Sequence, residues 1–303
     1  MPVRTIPVRF TLGSRHLLSI EKRLVSLSFS LDDVLARRIP VTIGVGSHDG
    51  LRVHSVPRDL MDTVVAQHPG FVIGGRQDYR RYYIDMAGSY DDYLARFSGK
   101  TRSTLRRKAR KLAEEVGGAL DVSEHRTPAE VAAFLAEALP LSARTYQARL
   151  LDAGLPEDEA GRAAIMAKAA AGEMRCFLLR AQGKAIAYLS LPVEGETLVY
   201  AHLGYDPDWA RLSPGTVLQM HALECLFAER RFRWFDFTEG EGAHKELFGT
   251  GSVECASFLL LKGSIANRFL LGSLSAFDGT VAAARALAEK SGALAQARRV
   301  LRG

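Results

Sequence analysis

The chain has 303 residues, of which 47% are hydrophobic and 24% are charged, and its formal net charge is +6. This composition is typical of a globular protein with a substantial core and excludes a largely disordered chain. The three cysteines indicate neither a disulfide framework nor a metal site, and the lack of a long uncharged apolar run excludes a predicted membrane-spanning helix.

The N-terminal segment alternates and carries Arg4 and Arg9, so it is not a signal peptide, and we expect a cytoplasmic protein. Short alternating or β-branched segments then predict strands over 3–12, 23–29, 41–45, 51–56, 70–73 and 81–85. Between two of them, His48-Asp49-Gly50 predicts a hairpin turn. Helices are predicted over 59–67, 89–97 and 100–116.

From about residue 117 the chain alternates strands with helices. Thr127 and Pro128 supply an N-cap and a proline at the first helical position, which predicts a helix to about Arg149. Further helices are predicted over 156–171 and 214–230, and strands over 120–124, 174–181, 184–192, 197–203, 234–237 and 253–261. The last forty residues predict a helix interrupted by Gly272, Gly279 and Gly292. We therefore expect an N-terminal part (1–116), a second domain (117–262) and a C-terminal helical extension (263–303).

The predicted helix start after strand 197–203 consists of Leu212, Ser213, Pro214, Gly215 and Thr216. Ser213 suits the N-cap and Pro214 the first helical position, whose missing N–H would be unpaired anyway. Gly215 has no side chain to block a ligand near the free N–H groups, and the helix dipole adds partial positive charge. These five residues predict a pyrophosphate site. Taken alone, the same residues also make an ordinary helix cap.

Several motifs surround this helix start in a fixed order. They are Tyr205-Asp206-Pro207, Ser213-Pro214-Gly215, Asp236-Phe237, Gly240, His244-Lys245 and Phe248-Gly249. This order resembles the GNAT acyltransferase superfamily, and more closely the CelD-like branch associated with cellulose and other envelope polysaccharides, which is related to the Fem peptidyltransferases. The resemblance covers about residues 93–262. It implies an α/β fold with a mixed twisted sheet flanked by helices, preceded by a degenerate GNAT-like half or a lid.

The same resemblance implies acyl-CoA, acetyl-CoA or longer, as co-substrate and no metal. The strand before the donor helix is expected to contact the acyl group through its backbone, with the sheet opening near Leu203 and Gly204. One departure concerns the donor loop. Classical members have a Gln/Arg-x-x-Gly-x-Gly/Ala pattern, whereas residues 211–216 contain a single glycine. The single glycine leaves coenzyme A and another phosphorylated carrier both open as donors.

Acyl transfer to an amine requires a base, a donor for the thioester oxygen and an acid for the leaving thiolate. The candidate bases are Glu239, Asp236 and His202, the candidate acids are Tyr205 and His244, and Lys245 is a candidate for holding the acyl carbonyl or a phosphate. Each has a structural alternative. An acid on a buried strand is costly unless paired, so Asp236 also fits a salt bridge. Glu239 fits a solvated loop, and His202 and Tyr205 fit packing positions.

Two basic segments favour anionic partners. Seven bases between Lys100 and Lys111 form a run without an acid, which suits a solvated face or phosphate contacts on an acceptor or a lipid. Aromatic residues do not interleave with it, so nucleic acid is not the expected partner. From Lys262 to the end, seven bases and two acids accompany apolar residues at helical spacing between Ile265 and Phe277. That segment fits core packing or binding at an anionic membrane surface.

The leading hypothesis is an acyl-CoA-dependent N-acyltransferase that modifies an amine of a cell-envelope precursor at the inner face of the membrane. The acceptor is expected to be a small-molecule or lipid-linked amine, such as an amino sugar of a polysaccharide or a sphingoid base. A second hypothesis keeps the fold and takes a charged tRNA as aminoacyl donor, gripped by the Lys100–Lys111 run. The third is a non-catalytic binding module with a GNAT fold.

Overall fold

The computed structural model describes residues 3–12, 15–41, 44–145 and 154–290. They form two compact units. The first contains the described residues up to Arg80 together with those from Val253 onward, and the second is Arg81–Ser252. The expected division at 116/117 falls inside this second unit, and the strand that precedes the C-terminal extension belongs to the first unit.

Eleven strands are found in the described residues: β1 Val3–Leu12, β2 Arg15–Ser28, β3 Gly50–Pro57, β4 Phe71–Asp85, β5 Asp121–His125, β6 Met174–Ala181, β7 Lys184–Glu194, β8 Thr197–Val199, β9 His202–Tyr205, β10 Trp234–Asp236 and β11 Gly251–Lys262. The α-helices there are α1 Leu31–Leu35, α2 Met61–Ala66, α3 Tyr90–Ala95, α4 Gly99–Val116, α5 Pro128–Arg144, α6 Glu159–Ala170, α7 Pro214–Glu229, α8 Ala243–Phe248 and α9 Ile265–Lys290. Short 3₁₀ turns occupy Arg58–Leu60 and Pro207–Leu212.

Several predicted elements were wrong in extent. The strands predicted over 70–73 and 81–85 are one strand, β4, and the helix from Pro128 ends at Arg144. Residues 41, 44 and 45 form no strand, and the predicted hairpin is absent there because β3 instead pairs in parallel with β2. Gly272 and Gly279 do not interrupt α9, while residues 42–43, 146–153 and Gly292 lie outside the described residues.

The first unit is built on strand pairing and one long helix. β1 pairs antiparallel with β2, β2 parallel with β3, and β3 antiparallel with β11. The inner face of α9 buries apolar side chains against this sheet. The residues of that cluster are Leu24, Leu259, Leu261, Leu270, Leu271 and Leu274.

The second unit confirms the expected mixed sheet flanked by helices. Its strands follow the order β4, β10, β8, β7, β6, β5, and β9 pairs with β7. β8 and β10 are parallel, whereas the other pairs along this order are antiparallel. Side chains of α5 and α6 form one apolar cluster with β6 and β7, and side chains of α7 form another that includes β10. The helices therefore cover both faces.

The strand predicted over 197–203 is divided in the structure. β8 ends at Val199 after pairing with both β7 and β10, and β9 begins at His202 and pairs with β7. Tyr200 and Ala201 separate the two. The sheet thus opens between β9 and β10, and it does so before Leu203, where the opening was expected.

A buried ion pair joins β4 to the end of β10. Arg81 Nε donates to Asp236 Oδ1 at 3.0 Å, and Arg81 Nη2 donates to Asp236 Oδ2 at 2.5 Å. The two side chains are only 7% and 1% exposed. The same carboxylate accepts a hydrogen bond from the backbone N–H of Thr238 at 2.8 Å, so it also orients the chain that leaves β10.

Gly204 is required by the packing of β9 on β7. It faces Tyr188, which is 1% exposed and donates from its hydroxyl to Ser142 Oγ at 2.9 Å. A Cβ on Gly204 would lie 2.4 Å from the Tyr188 ring. Because the ring is buried and hydrogen-bonded, it cannot move aside cheaply.

Gly204→Ala is expected to lower the free energy of unfolding by about 1–3 kcal/mol through overpacking. Urea unfolding followed by circular dichroism measures the change. Gly99→Ala is the matched control, because a Cβ there would meet nothing within 4 Å. Equal stability of the two variants would show that β9 does not pack on Tyr188 as described.

Asp236→Asn should be more damaging, since it removes the negative charge that faces the buried Arg81 guanidinium. Removing one partner of a buried pair costs about 3–5 kcal/mol, measurable as a fall in unfolding free energy. Glu114→Gln breaks the exposed Arg110–Glu114 pair on α4 and should leave stability nearly unchanged. Wild-type stability of Asp236→Asn would contradict the assigned role of the buried pair.

Candidate active site

The open edge of β9 presents backbone groups to the gap. The N–H of Asp206 donates to the carbonyl of Ile186 on β7 at 2.8 Å. Backbone groups alternate in direction along an antiparallel strand, so Gly204 also faces β7, whereas the N–H groups of Leu203 and Tyr205 face the gap. A ligand with amide groups can pair with such an edge as another strand would.

The start of α7 packs against this strand. A Cβ on Gly215 would lie 2.9 Å from Leu203 Cδ2 and 3.2 Å from Tyr205 Cδ1. The missing side chain of Gly215 therefore lets the helix approach β9, and does not leave room for a ligand at that point. Pro214 is buried, and Thr216 is half-buried at the edge of the helix start.

Ser213 occupies the N-cap of α7, as predicted, but not with the expected geometry. Its φ of 54° is left-handed, and its side chain makes no cap hydrogen bond. Leu212, just before it, is buried. A serine that leaves the first N–H groups of the helix uncapped is compatible with an anion at this end.

Charged side chains flank the loop that leads into α7. Arg144 forms ion pairs with Asp206 and Asp208, at 3.2 and 3.3 Å, and Arg211 pairs with Glu115 of α4 at 2.5 Å. These pairs attach the loop to α5 and α4. They place two guanidinium groups around the helix start, each of them already neutralised by a carboxylate.

His244 of α8 lies among aromatic rings beside the gap. Its ring centroid is 4.7 Å from that of Phe248 and 6.3 Å from those of Tyr200 and Phe237. Burial, with the charges of Lys108 and Lys245 nearby, lowers the pKa of His244 to about 4. The imidazole is therefore neutral at physiological pH, and its Nε2 lies 2.6 Å from Oε1 of Gln219 on α7.

Lys245 lies on the side of α8 nearer to Asp236. Its ammonium donates to the backbone carbonyl of Glu239, whose own side chain is exposed. Burial lowers the pKa of Lys245, while the carboxylates of Asp236 and Glu239 oppose this shift. The end of β10, the loop after it and the start of α8 thus carry Asp236, Glu239, His244 and Lys245.

The remaining candidates lie on β9 and face different sides. Tyr205 faces α7, where it contacts the Gly215 position. His202 alternates with Leu203 and so lies on the face of Gly204 and Tyr188, toward α5. The predicted catalytic residues therefore divide between two faces of the sheet, with His202 apart from His244.

Three residues near the gap were not predicted as site residues: Arg81, Tyr200 and Gln219. Gln219 is fully buried within an otherwise apolar helix face, whereas Arg81 follows Arg80 in a strand that also carries Arg76, Gln77 and Asp78. A polar side chain in an apolar segment was the available signal for Gln219 alone. Tyr200 carries no such signal, because tyrosine is ordinary in a strand.

Helix α4 borders the site from the side of α7. Leu112 is buried, and Leu105 and Ala109 pack on the core formed with α7. Lys108 is half-buried and near enough to His244 to act on its charge. A cleft of about 290 Å³ lies between α4 and α7. Its lining is mostly apolar and includes Leu94, Leu105, Leu120, Val217 and Met220, with Arg102, Arg106 and Thr216 among the polar residues.

Within residues 3–12, 15–41, 44–145 and 154–290, no cluster of three or more His, Cys, Asp or Glu side chains is arranged to bind a metal ion. In the same part of the chain, none of the helices has the length and apolar character needed to cross a bilayer.

Comparison with known proteins gives a family match for the second unit. Residues 99–246 match the family model described as an acetyltransferase (GNAT) domain. No curated protein sequence matches the chain. Among solved structures, FemX is similar over 84% of this chain and 88% of its own, with 11% identity and a TM-score of 0.52.

Two further structures show weaker likeness. L-PGS from Bacillus licheniformis covers 73% of this chain and 71% of its own at 14% identity, with a TM-score of 0.45. A GCN5-related N-acetyltransferase from Kribbella flavida covers 72% and 71% at 13% identity, with a TM-score of 0.39. At 11% identity, the likeness to FemX shows a similar fold alone. Residues 99–246, just under half of the chain, thus match an acetyltransferase domain of the GNAT superfamily, and this match supports an acyltransferase.

Proposed function

We propose that the protein transfers an acyl group from acyl-CoA to an amine of a cell-envelope precursor. The observation that carries this proposal is the opening between β9 and β10, where the N–H groups of Leu203 and Tyr205 face a gap beside the start of α7. An extended donor with amide groups and a terminal phosphate chain suits both features.

The reaction requires that the amine lose a proton, attack the thioester carbonyl and displace a thiolate, which then takes up a proton. His244 is neutral and buried beside the gap, so it supplies a base that is not already protonated. Tyr200 packs against it, and burial raises the pKa of the Tyr200 hydroxyl, which therefore stays protonated. We assign His244 as the proton acceptor and Tyr200 as the donor to the thiolate.

The oxygen of the acyl group needs hydrogen-bond donors as its charge develops. The backbone N–H groups of β9 face the gap and suit this task, and the ammonium of Lys245 is a second donor at the end of β10. Asp236 is engaged with Arg81, so we assign it to positioning this end of the strand and leave proton transfer to His244.

An envelope acceptor is supported by the motif resemblance to the CelD-like branch and by one exposed surface of the first unit. Ile265 and Phe269 lie one turn apart on α9 and are 89% and 77% exposed. Lys262 and Arg268 beside them are exposed as well. We propose that these four residues touch an anionic membrane surface, where apolar side chains insert and cations meet lipid phosphates.

Transfer of an aminoacyl group from a charged tRNA is the second candidate. The observation in its favour is α4, whose bases Lys100, Arg106, Arg107, Arg110 and Lys111 are all exposed. Such a face suits a polyanion. Stabilisation by acyl-CoA, seen as a raised melting temperature, supports the first candidate, whereas bound RNA that survives purification and the lack of any acyl-CoA effect support the second.

Thiol release from acyl-CoA, followed with a dithiobis reagent against amino sugars and sphingoid bases, tests the reaction. Chain lengths from acetyl upward are compared. His244→Ala should lower kcat by about 10²- to 10⁴-fold, the usual contribution of a general base. His68→Ala, in the first unit, is the control. Thiol release that is unaffected by His244→Ala would rule out the assigned base, and an absence of release with every acyl-CoA would rule out the proposed donor.

Flotation with vesicles of phosphatidylglycerol and phosphatidylcholine tests the membrane surface. Ile265→Asp should abolish binding to the anionic vesicles, and binding by the wild type should weaken as salt is raised. Val41→Asp is a matched control because Val41 is also 89% exposed. Equal loss in both variants, or equal binding to neutral vesicles, would contradict a specific anionic surface on α9.

A further inference from the structure

Gln219 is a polar side chain in the buried face of α7. It is 0% exposed, and its helix neighbours Leu218, Ala222 and Leu223 are fully buried in the core of the second unit. A buried amide without partners destabilises the folded state, whereas leucine or methionine would fill the same space at no such cost. A glutamine at this position is therefore expected to have a polar partner.

One half of the Gln219 amide has such a partner and the other does not. Oε1 lies 2.6 Å from Nε2 of His244, while Nε2 of Gln219 is buried with no hydrogen-bond partner within the described residues. The single hydrogen bond to His244 is thus the interaction that this side chain makes, and it carries the cost of an unpaired N–H₂ group.

This contact determines which ring nitrogen of His244 holds the proton. An amide oxygen only accepts hydrogen bonds, so His244 Nε2 must be the donor. In a neutral imidazole the other nitrogen, Nδ1, then carries the lone pair. No hydrogen bond to His244 Nδ1 is formed by any described residue.

Other groups facing His244 do not compete for this assignment. Lys108 from α4 and Lys245 from α8 are cations, which disfavour the imidazolium. Tyr200, Phe237 and Phe248 contact the ring through their aromatic faces and edges. Gln219, from α7, is the hydrogen-bonding neighbour.

We propose that Gln219 is a positioning residue that holds His244 as the Nε2–H tautomer, with the Nδ1 lone pair free to accept the proton of the attacking amine. The role of the Nδ1 lone pair rests on the proposed function, whereas the assignment of the Nε2–H tautomer does not. Gln219 touches no reacting atom, and its effect on the reaction passes through the orientation and tautomer of His244.

Nitrogen-15 shifts of the His244 ring test the tautomer without any substrate. The wild type should show a protonated Nε2 and an unprotonated Nδ1 down to a pH near 4. Gln219→Leu should give a mixture of the two tautomers. Gln219→Glu keeps an acceptor and adds a negative charge, so the pKa of His244 should rise by roughly one to three pH units.

Activity then separates positioning from packing. Gln219→Leu should lower kcat by about 10-fold or more with little change in KM, because the loss concerns one proton-transfer group. In Gln219→Glu the acid limb of the pH–rate profile should move to higher pH together with the His244 titration. Cys225→Ser, on the same helix, is the control that should move neither.

A wild-type His244 that is protonated on Nδ1, or a Gln219→Leu protein with the wild-type tautomer, would overturn the proposal. Circular dichroism establishes that each variant is folded, and Gln219→Glu provides the test if Gln219→Leu does not fold. If the tautomer is as described but no acyl-CoA is consumed, the positioning of His244 stands and the proposed function fails.

Discussion

The candidate site depends on one buried ion pair. Arg81 of β4 and Asp236 satisfy each other at the point where β10 ends, and the same carboxylate accepts a hydrogen bond from the N–H of Thr238. An arginine and an aspartate removed from water need such two-fold contact to offset the loss of hydration. Because the pair sets the direction in which the chain leaves β10, it also sets the position of α8. His244 and Lys245 lie beside that strand end as a consequence.

The second organising feature is the division of one strand into β8 and β9. β10 takes β8 as its parallel neighbour through Val199, and α7 then packs over β9 through Gly215. Strand edges left open inside a protein are uncommon, because unpaired backbone groups are costly. Here the opening lies between a neutral imidazole and an uncapped helix start. The proposed donor, an extended, amide-bearing chain with phosphates, would use these features together.

The sequence allowed much of the fold to be predicted, for physical reasons that can be named. Thr127-Pro128 and Ser213-Pro214 marked helix starts correctly, and the mixed sheet followed from the motif order. The break at Tyr200 was missed because residues 197–203 have continuous strand character, and only the competition of β7 and β10 for pairing divides them. The role of Gly215 was misjudged because sequence does not show what a missing Cβ would contact. Gln219 was overlooked since its meaning comes from a partner 25 residues away.

The placement of the two ends of the second unit has a consequence for biosynthesis. Tyr83, near its beginning, accepts a hydrogen bond from the N–H of Thr250, near its end, at 2.7 Å. The unit is therefore an insertion whose ends meet, set between Arg80 and Val253 of the first unit. On a ribosome, where the N-terminus emerges first, β3 cannot pair with β11 until the whole insertion has been synthesised. The second unit can complete its own sheet first, and the first unit forms its core after β11 has been synthesised.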